Sequence, residues 1–103
     1  REKKLAEGIE RFYADDVEMF ESAGESTKGK NANIERERAF ESGLTRWDAQ
    51  LHSSAVDETR GIAYNHWTIN FDHAQFGRGV LEQIAVQQWR DGKIVREAFY
   101  KLS

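Results

Sequence analysis

Residues 61–102 read GIAYNHWTINFDHAQFGRGVLEQIAVQQWRDGKIVREAFYKL, and this stretch decides the fold. It holds three runs rich in β-forming residues, 61–71, 80–89 and 94–102, in which side chains of the two faces alternate. Arg90-Asp91-Gly92-Lys93 separates the last two runs, and Asp-Gly supplies the positive φ angles of a tight type I′ turn. The stretch therefore predicts the last three strands of an antiparallel meander of four.

Helical and extended patterns precede this meander. Leu5, Ile9 and Phe12 fall on one face of a helical period. A second helix is predicted with Asn31 as its N-cap and Gly43 just beyond its end, because these residue types favour those positions. The predicted elements are a helix over 2–13, a short strand over 17–21, a polar loop over 22–30, a helix over 31–42 and a strand over 47–55.

Composition limits the class of protein. The chain has 103 residues, with 15 basic and 18 acidic side chains and no cysteine. That length predicts one domain over 1–103. Without clustered Lys and Arg no nucleic-acid surface is expected, and without an apolar run of about 20 residues no membrane span is expected. The absence of cysteine excludes disulfides and favours a cytoplasmic protein.

The order of the elements predicts an α+β fold. Helices gathered on one side of hairpin-linked strands form this arrangement, and long hairpin strands curl. We therefore expect a cone-shaped, curved antiparallel β-sheet wrapped by N-terminal helices around a hollow. Because the sequence opens at Arg1 inside a helix-like pattern, we also expect that part of the first helix is missing.

Three segments resemble the SnoaL-like branch of the NTF2-like superfamily. They are FYADDV at 12–17, Gly29-Lys30 at the start of the second helix, and WRDGKIV at 89–95. The resemblance implies the cystatin-like cone of that superfamily. Its members include ketosteroid isomerases, polyketide cyclases, epoxide hydrolases, dehydratases and non-catalytic assembly domains. The resemblance therefore indicates a fold more sharply than a function.

Alternation divides the meander into two faces. The odd-numbered residues, among them Val95, carry most of the large aromatics, so we expect them to line the concave face. An apolar wall with a few polar groups is typical of a small-molecule site. The alternative is that Asn65, Gln83 and Glu97 bond each other and a trapped water. The residues predicted to contact a ligand are Trp47, Asn65, Trp67, Gln83, Trp89 and Phe99.

Glu21 is the first candidate catalytic residue. The resemblance implies that Glu21, eight residues beyond Tyr13, occupies the position of the general base of ketosteroid isomerases. Ala85 falls where those enzymes carry a protonated acid, so steroid isomerisation is not expected. The alternative is that Glu21 is an ordinary solvated carboxylate.

Glu97 is the second candidate acid or base, and it too has a structural alternative. It could form an ion pair with Arg38 or Lys101 across the mouth of the hollow. Either arrangement would satisfy a carboxylate on the concave face. The sequence leaves both alternatives open.

The histidines give little support for a metal site. His52 and His66 are expected to point away from the hollow, and His73 is expected in a hairpin loop over 72–79. Two histidines without a convergent carboxylate make a weak metal site. We therefore expect no metal and no cofactor.

The even-numbered face of the meander is apolar enough to predict an interface. We expect a symmetric homodimer through this convex face. For function, we expect a domain that binds a small apolar carbonyl or ring compound, in an isomerase, cyclase or hydrolase type of reaction with Glu21 as base. The alternative is a non-catalytic dimerisation or assembly module with a vestigial pocket. The predicted interface residues are Tyr64, His66, Ile84, Val86, Ile94 and Tyr100.

Overall fold

The computed structural model describes residues 11–22 and 24–102. Most of the helix predicted over 2–13 lies outside these residues; residues 11 and 12 are helical, but Tyr13 already begins a strand, so the predicted end is wrong by one residue. The described strands are β1 (Tyr13–Phe20), β2 (Ser26–Lys28), β3 (Leu44–Asp57), β4 (Ile62–His73), β5 (Gly77–Arg90) and β6 (Lys93–Lys101), and helix α1 (Lys30–Glu41) lies between β2 and β3.

The meander predicted from the sequence is confirmed. Strands β3, β4, β5 and β6 are sequential antiparallel neighbours in a curved six-stranded sheet of order β2-β1-β6-β5-β4-β3. Asp91 and Gly92 have φ angles of 54° and 77°, as a type I′ turn requires. The loop predicted over 72–79 is wrong in length, because β4 and β5 extend until only residues 74–76 join them.

The sheet is mixed, so the prediction of an antiparallel sheet is wrong for one pair. Strand β1 lies parallel to β6, with Met19 opposite Glu97. The chain leaves β1, passes through β2, α1 and three strands, and then enters β6 in the direction it had in β1. The segment over 22–30 also contains β2, which pairs with β1. Its Ser-Thr-Lys sequence shows no apolar alternation, so the pattern predicted only a loop.

A bulge between β5 and β6 reverses the predicted side-chain direction of Ile94. Gln88 lies opposite Arg96, whereas Trp89 lies opposite Ile94, so Val95 has no partner. Ile94 therefore points to the same face as Glu97, is 2% exposed, and belongs to the core. The prediction that Ile94 lies on the convex face is wrong for this reason, and the pairing does not test the prediction for Val95.

Helix α1 begins and ends within one residue of its predicted bounds. Its N-cap is Gly29 rather than the predicted Asn31, and no side chain caps it. Ile34 packs against Val17, Met19 and Ile94 in the hydrophobic core. We call the sheet face under α1, which carries Glu97, the inner face, and the opposite one the outer face. None of the described helices is long and apolar enough to cross a membrane.

Candidate functional site

Glu97 is a buried ionisable group of the inner face. It is 3% exposed and lies between Gln87 of β5 and Met19 of β1. The Tyr13 hydroxyl donates a hydrogen bond to its Oε1, and Gln87 Nε2 donates to its Oε2 at 2.9 Å. The predicted alternative of an ion pair with Arg38 or Lys101 is therefore wrong. Instead, each carboxyl oxygen meets one neutral donor.

Further hydrogen bonds extend from Glu97 across the sheet. Trp89 Nε1 and Asn65 Nδ2 lie 3.2 and 3.5 Å from Gln87 Oε1, and Ser54 Oγ donates to Asn65 Oδ1 at 2.7 Å. The predicted alternative, in which Asn65, Gln83 and Glu97 bond one another, holds only in part, because Asn65 and Glu97 are linked through Gln87 and Gln83 is not a member of this network. We call this network the polar ladder; its members are Ser54, Asn65, Gln87, Trp89, Glu97 and Tyr13.

An open pocket lies beside the polar ladder. Its volume is about 320 Å³, and it lies where β3, β4 and β5 meet near the β3–β4 turn. The polar ladder thus connects a solvent-facing pocket to the buried carboxyl of Glu97. The pocket is lined by Val56, Gly61, Ile62, Ala63, Asn65, Gln87 and Trp89.

Burial and neighbouring charges control the proton equilibrium at Glu97. Burial raises the pKa of Glu97, the hydrogen bonds from Tyr13 and Gln87 lower it, and repulsion from Glu21 adds to the rise. Burial and the charge of Glu97 also raise the pKa of Tyr13 above its usual value. Tyr13 therefore keeps its proton, and Glu97 is the member of this pair whose charge changes with pH.

Glu21 lies directly after β1 and is neither free nor fully solvated. Its Oε2 is 2.8 Å from Arg36 Nη1, and the same nitrogen lies 3.2 Å from Glu37 Oε2. Arg36 Nη2 also donates to Asn33 Oδ1 at 3.1 Å. Burial raises the pKa of Glu37, and the charge of Arg36 opposes that rise. The arrangement is a carboxylate–guanidinium–carboxylate group in which Glu21 is already ion-paired.

The side chains predicted to contact a ligand do not meet at one point. Trp89 and Asn65 line the pocket. Trp47 lies opposite Phe71, seven residues along β3 from Ser54, the partner of Asn65. At about 3.3 Å per residue, Trp47 is roughly 20 Å from the pocket end of the strand. Trp47 therefore belongs to a different part of the inner face.

The other predicted ligand contacts also divide between structural roles. Trp67 and Gln83 face each other across β4 and β5 on the inner face. Phe99 packs against the hydrophobic core. The Trp47 ring makes an edge contact with Phe40, at a centroid distance of 6.4 Å. Asn65 and Trp89 thus line the pocket beside the polar ladder, whereas Trp47, Trp67, Gln83 and Phe99 are not among its lining residues.

The three histidines occupy two unrelated places. On the outer face, as predicted, the His52 and His66 ring centroids are 4.8 Å apart, and His66 Nε2 is 2.8 Å from Glu82. His73 ends β4 and is 6% exposed, so its placement in a loop is wrong. Within the described ranges, no three His, Asp or Glu side chains are arranged to hold a metal ion.

Sequence reasoning missed Tyr13 and Arg36 and gave Gln87 no role. Alternation already placed Gln87 on the face of Glu97, but its position directly opposite Glu97 depends on the bulge between β5 and β6. Tyr13 reaches Glu97 through the parallel pairing of β1 and β6. That contact spans 84 residues of sequence and has no local signal.

A comparison with protein families gives one match. Residues 2–97 match the family described as the SnoaL-like domain. No curated protein matches the sequence. Solved structures supply the remaining similarities, all at low sequence identity.

Three solved structures illustrate the fold. An LEH-like epoxide hydrolase of M. tuberculosis superposes with a TM-score of 0.80 at 13% identity, covering 97% of this chain and 72% of that one. An NTF2-like protein of unknown function from Exiguobacterium sp. 255-15 gives 0.79 at 18% identity, covering 98% and 85%. A protein with a ketosteroid isomerase-like fold from Catenulispora acidiphila, in complex with trimethylamine, gives 0.75 at 8% identity, covering 96% and 73%. These similarities show the fold alone.

Proposed function

The chain belongs to the SnoaL-like domain family, and from that premise we propose that it binds a small apolar carbonyl or ring compound in the pocket beside the polar ladder. Asn65 and Gln87 are the polar contacts of this site, and Trp89 supplies apolar surface. Glu97 is the candidate acid–base group, in preference to Glu21, because Arg36 already neutralises Glu21.

One observation carries this proposal. A carboxyl group that is 3% exposed lies one hydrogen bond away from Gln87, which lines an open pocket. A buried carboxyl whose pKa is raised by its surroundings is the kind of group that exchanges protons near neutral pH. Asn65 Nδ2 is held only by a long contact of 3.5 Å. That amide can therefore turn its N–H toward a ligand carbonyl at little cost.

The test compares two probes that differ by one carbonyl group. In a titration followed by NMR, 1-indanone should shift the side-chain N–H signals of Asn65, Gln87 and Trp89 and bind more tightly than indane. Asn65→Leu should weaken indanone binding roughly threefold to tenfold, the value of one neutral hydrogen bond, and leave indane binding unchanged.

Asn70→Leu is the matched control, since Asn70 lies on the same strand but on the outer face. It should leave both dissociation constants as they are. Shifts spread over the outer face, or equal binding of the two probes, would contradict the proposed site.

A non-catalytic dimerisation module is the second candidate function. Two observations favour it: the polar ladder satisfies its own hydrogen bonds, and the outer face exposes Tyr64 by 40% and Tyr100 by 54%. A large exposed apolar surface is typical of an interface. The candidate interface keeps the predicted residues except Ile94, which is in the core; it consists of Tyr64, His66, Ile84, Val86 and Tyr100.

Sedimentation analysis tests this second candidate. The protein should sediment as a dimer, and Tyr100→Glu should convert it to a monomer, because each copy would bury a charge at a symmetric contact. Phe76→Glu removes an equally exposed aromatic in the β4–β5 turn and should leave the dimer intact. A wild-type protein that stays monomeric at NMR concentrations would exclude this function.

A further inference from the structure

Gln87 is the branch point of the polar ladder, and its side-chain amide can point either way in principle. Its oxygen accepts from Trp89 and Asn65, while its nitrogen donates to Glu97. We propose that Trp89 is a positioning residue: its indole N–H fixes the Gln87 amide in the orientation that donates a hydrogen bond to Glu97. The Trp89 N–H bonds Gln87 Oε1, and the hydrogen bonds to the carboxyl come from Tyr13 and Gln87.

The orientation follows from what each partner can do. The Trp89 indole nitrogen is a donor only and lies 3.2 Å from Gln87 Oε1. Asn65 Nδ2 points a second, weaker donor at the same oxygen from 3.5 Å. If the amide turned over, its NH₂ would face two donors and its oxygen would face a carboxylate oxygen. Every contact of Gln87 in the ladder would then be repulsive, so the observed orientation is the one that these partners permit.

The orientation determines which form of Glu97 the site favours. An ionised carboxylate can only accept hydrogen bonds, and here it accepts one from Tyr13 and one from Gln87. A reversed amide would instead accept from the protonated carboxyl. Trp89 therefore favours the ionised form of Glu97 through Gln87, although it belongs to the pocket lining.

Trp89 affects activity only if Glu97 has the proposed acid–base role, so this part rests on the proposed function. The orientation of the Gln87 amide does not depend on that role. The titratable groups that act on Glu97 and Tyr13 are Glu21 after β1 and Glu37 of α1. The variants below leave these groups and Tyr13 in place. Any change in the titration of Glu97 therefore comes from the Gln87 side of the carboxyl.

The experiment is a carbon-13 NMR titration of the Glu97 carboxyl in the full chain. Trp89→Phe should lower the acid dissociation constant of Glu97 at least about threefold, because the freed amide no longer opposes protonation. Replacing the Trp89 indole by benzothiophene, which keeps the ring size and removes the N–H, should give the same change. This second variant covers the case in which the smaller Phe prevents folding.

Two further variants separate positioning from packing. In a Gln87→Leu background, Trp89→Phe should change the dissociation constant of Glu97 by a factor near one, because the effect passes through Gln87. Trp67→Phe is the matched control: Trp67 shares the inner face but lies opposite Gln83, and its replacement should leave Glu97 unchanged.

The inference is overturned if the benzothiophene variant titrates like the wild type, or if the change persists without Gln87. Failure of the indanone experiment would refute the ligand-binding proposal and leave this result unaffected. The two proposals can therefore fail separately.

Discussion

Replacing Gly43 with alanine lowers the free energy of unfolding by about 2–3 kcal/mol, the usual cost of overpacking a rigid site. A β-carbon at this position would lie 2.5 Å from Nε2 of His73. The ring cannot retreat easily, because its Nε2 donates to the Phe40 carbonyl at 3.0 Å and its Nδ1 accepts the Gln75 amide at 3.0 Å. Thermal unfolding should show a fall in Tm of roughly 10–20 °C.

A double-mutant cycle provides the control for Gly43→Ala. His73→Ala removes the ring that the new methyl group would meet, so Gly43→Ala should cost much less in that background. Phe40 and Phe76 stack against the same ring at 4.9 and 4.5 Å, which makes His73→Ala destabilising by itself. An equal cost of Gly43→Ala in both backgrounds would show that contact with His73 is not the cause.

Tyr13→Phe should lower the free energy of unfolding by about 1.5–3 kcal/mol at pH values above the pKa of Glu97. The substitution removes one of the two donors to a buried carboxylate, and a hydrogen bond to a charged group contributes roughly that amount. At low pH, where Glu97 is protonated, the cost should fall to about 0.5–1.5 kcal/mol, the value of a neutral hydrogen bond. Urea unfolding across a pH series that spans the titration of Glu97 measures both limits.

The pH dependence has a definite sign. Burial holds the pKa of Glu97 above that of a glutamate in the unfolded chain. Between the two pKa values the folded protein binds more protons, so stability falls as pH rises through this interval. Losing the Tyr13 hydroxyl raises the pKa of Glu97 in the folded protein further. The free energy of unfolding then falls more as the pH rises. The raised pKa of Glu37 makes the same contribution to the pH dependence of stability in the wild type and in Tyr13→Phe. It therefore cancels when the two free energies of unfolding are subtracted.

Tyr100→Phe is the matched control for Tyr13→Phe. It removes the same hydroxyl group from a tyrosine that is 54% exposed on the outer face. Its effect should stay within about 0.5 kcal/mol at every pH. If the free energies of unfolding of Tyr13→Phe and wild type differed by the same amount at every pH, that result would contradict a hydrogen bond from Tyr13 to an ionised Glu97.

The part of the fold that could be predicted from sequence is the part that local rules control. Period-two alternation and the Asp91-Gly92 turn were sufficient for the meander, and the capping preferences of Asn31 and Gly43 placed α1 to within one residue, although its N-cap is Gly29. Gly43 nevertheless follows the helix for an unexpected reason. It leaves room for the ring of His73 and does not adopt a positive φ angle.

The elements that sequence reasoning missed depend on long-range pairing. Nothing in residues 13–20 indicates a parallel partner more than 70 residues later, and the bulge at Val95 has no signature in IVRE. A bulge shifts every following side chain to the other face. The alternation from the turn therefore misplaced Ile94, whereas Glu97, beyond the bulge, was correctly placed inward.

The sequence predicts which residues of the candidate site share one face of the sheet, but it does not predict the hydrogen bonds that join them. Alternation placed Asn65, Trp89 and Glu97 on one wall, and the structure connects all three through Gln87. Which polar residue would make this connection depended on a register offset of one residue at the bulge. The two catalytic candidates also differ in a way that sequence could not show, because Arg36 reaches Glu21 from the helix.

Glu97 is a buried carboxyl whose surroundings raise its pKa and so favour the protonated form. It lies at the inner end of the polar ladder, whose outer end lines a pocket. Carbon-13 NMR of the side-chain carboxyls, with the Glu97 signal assigned by its loss in Glu97→Gln, tests this claim most directly. The account predicts that Glu97 titrates clearly above the ordinary glutamate value of about 4.3. Titration at or below that value would contradict it.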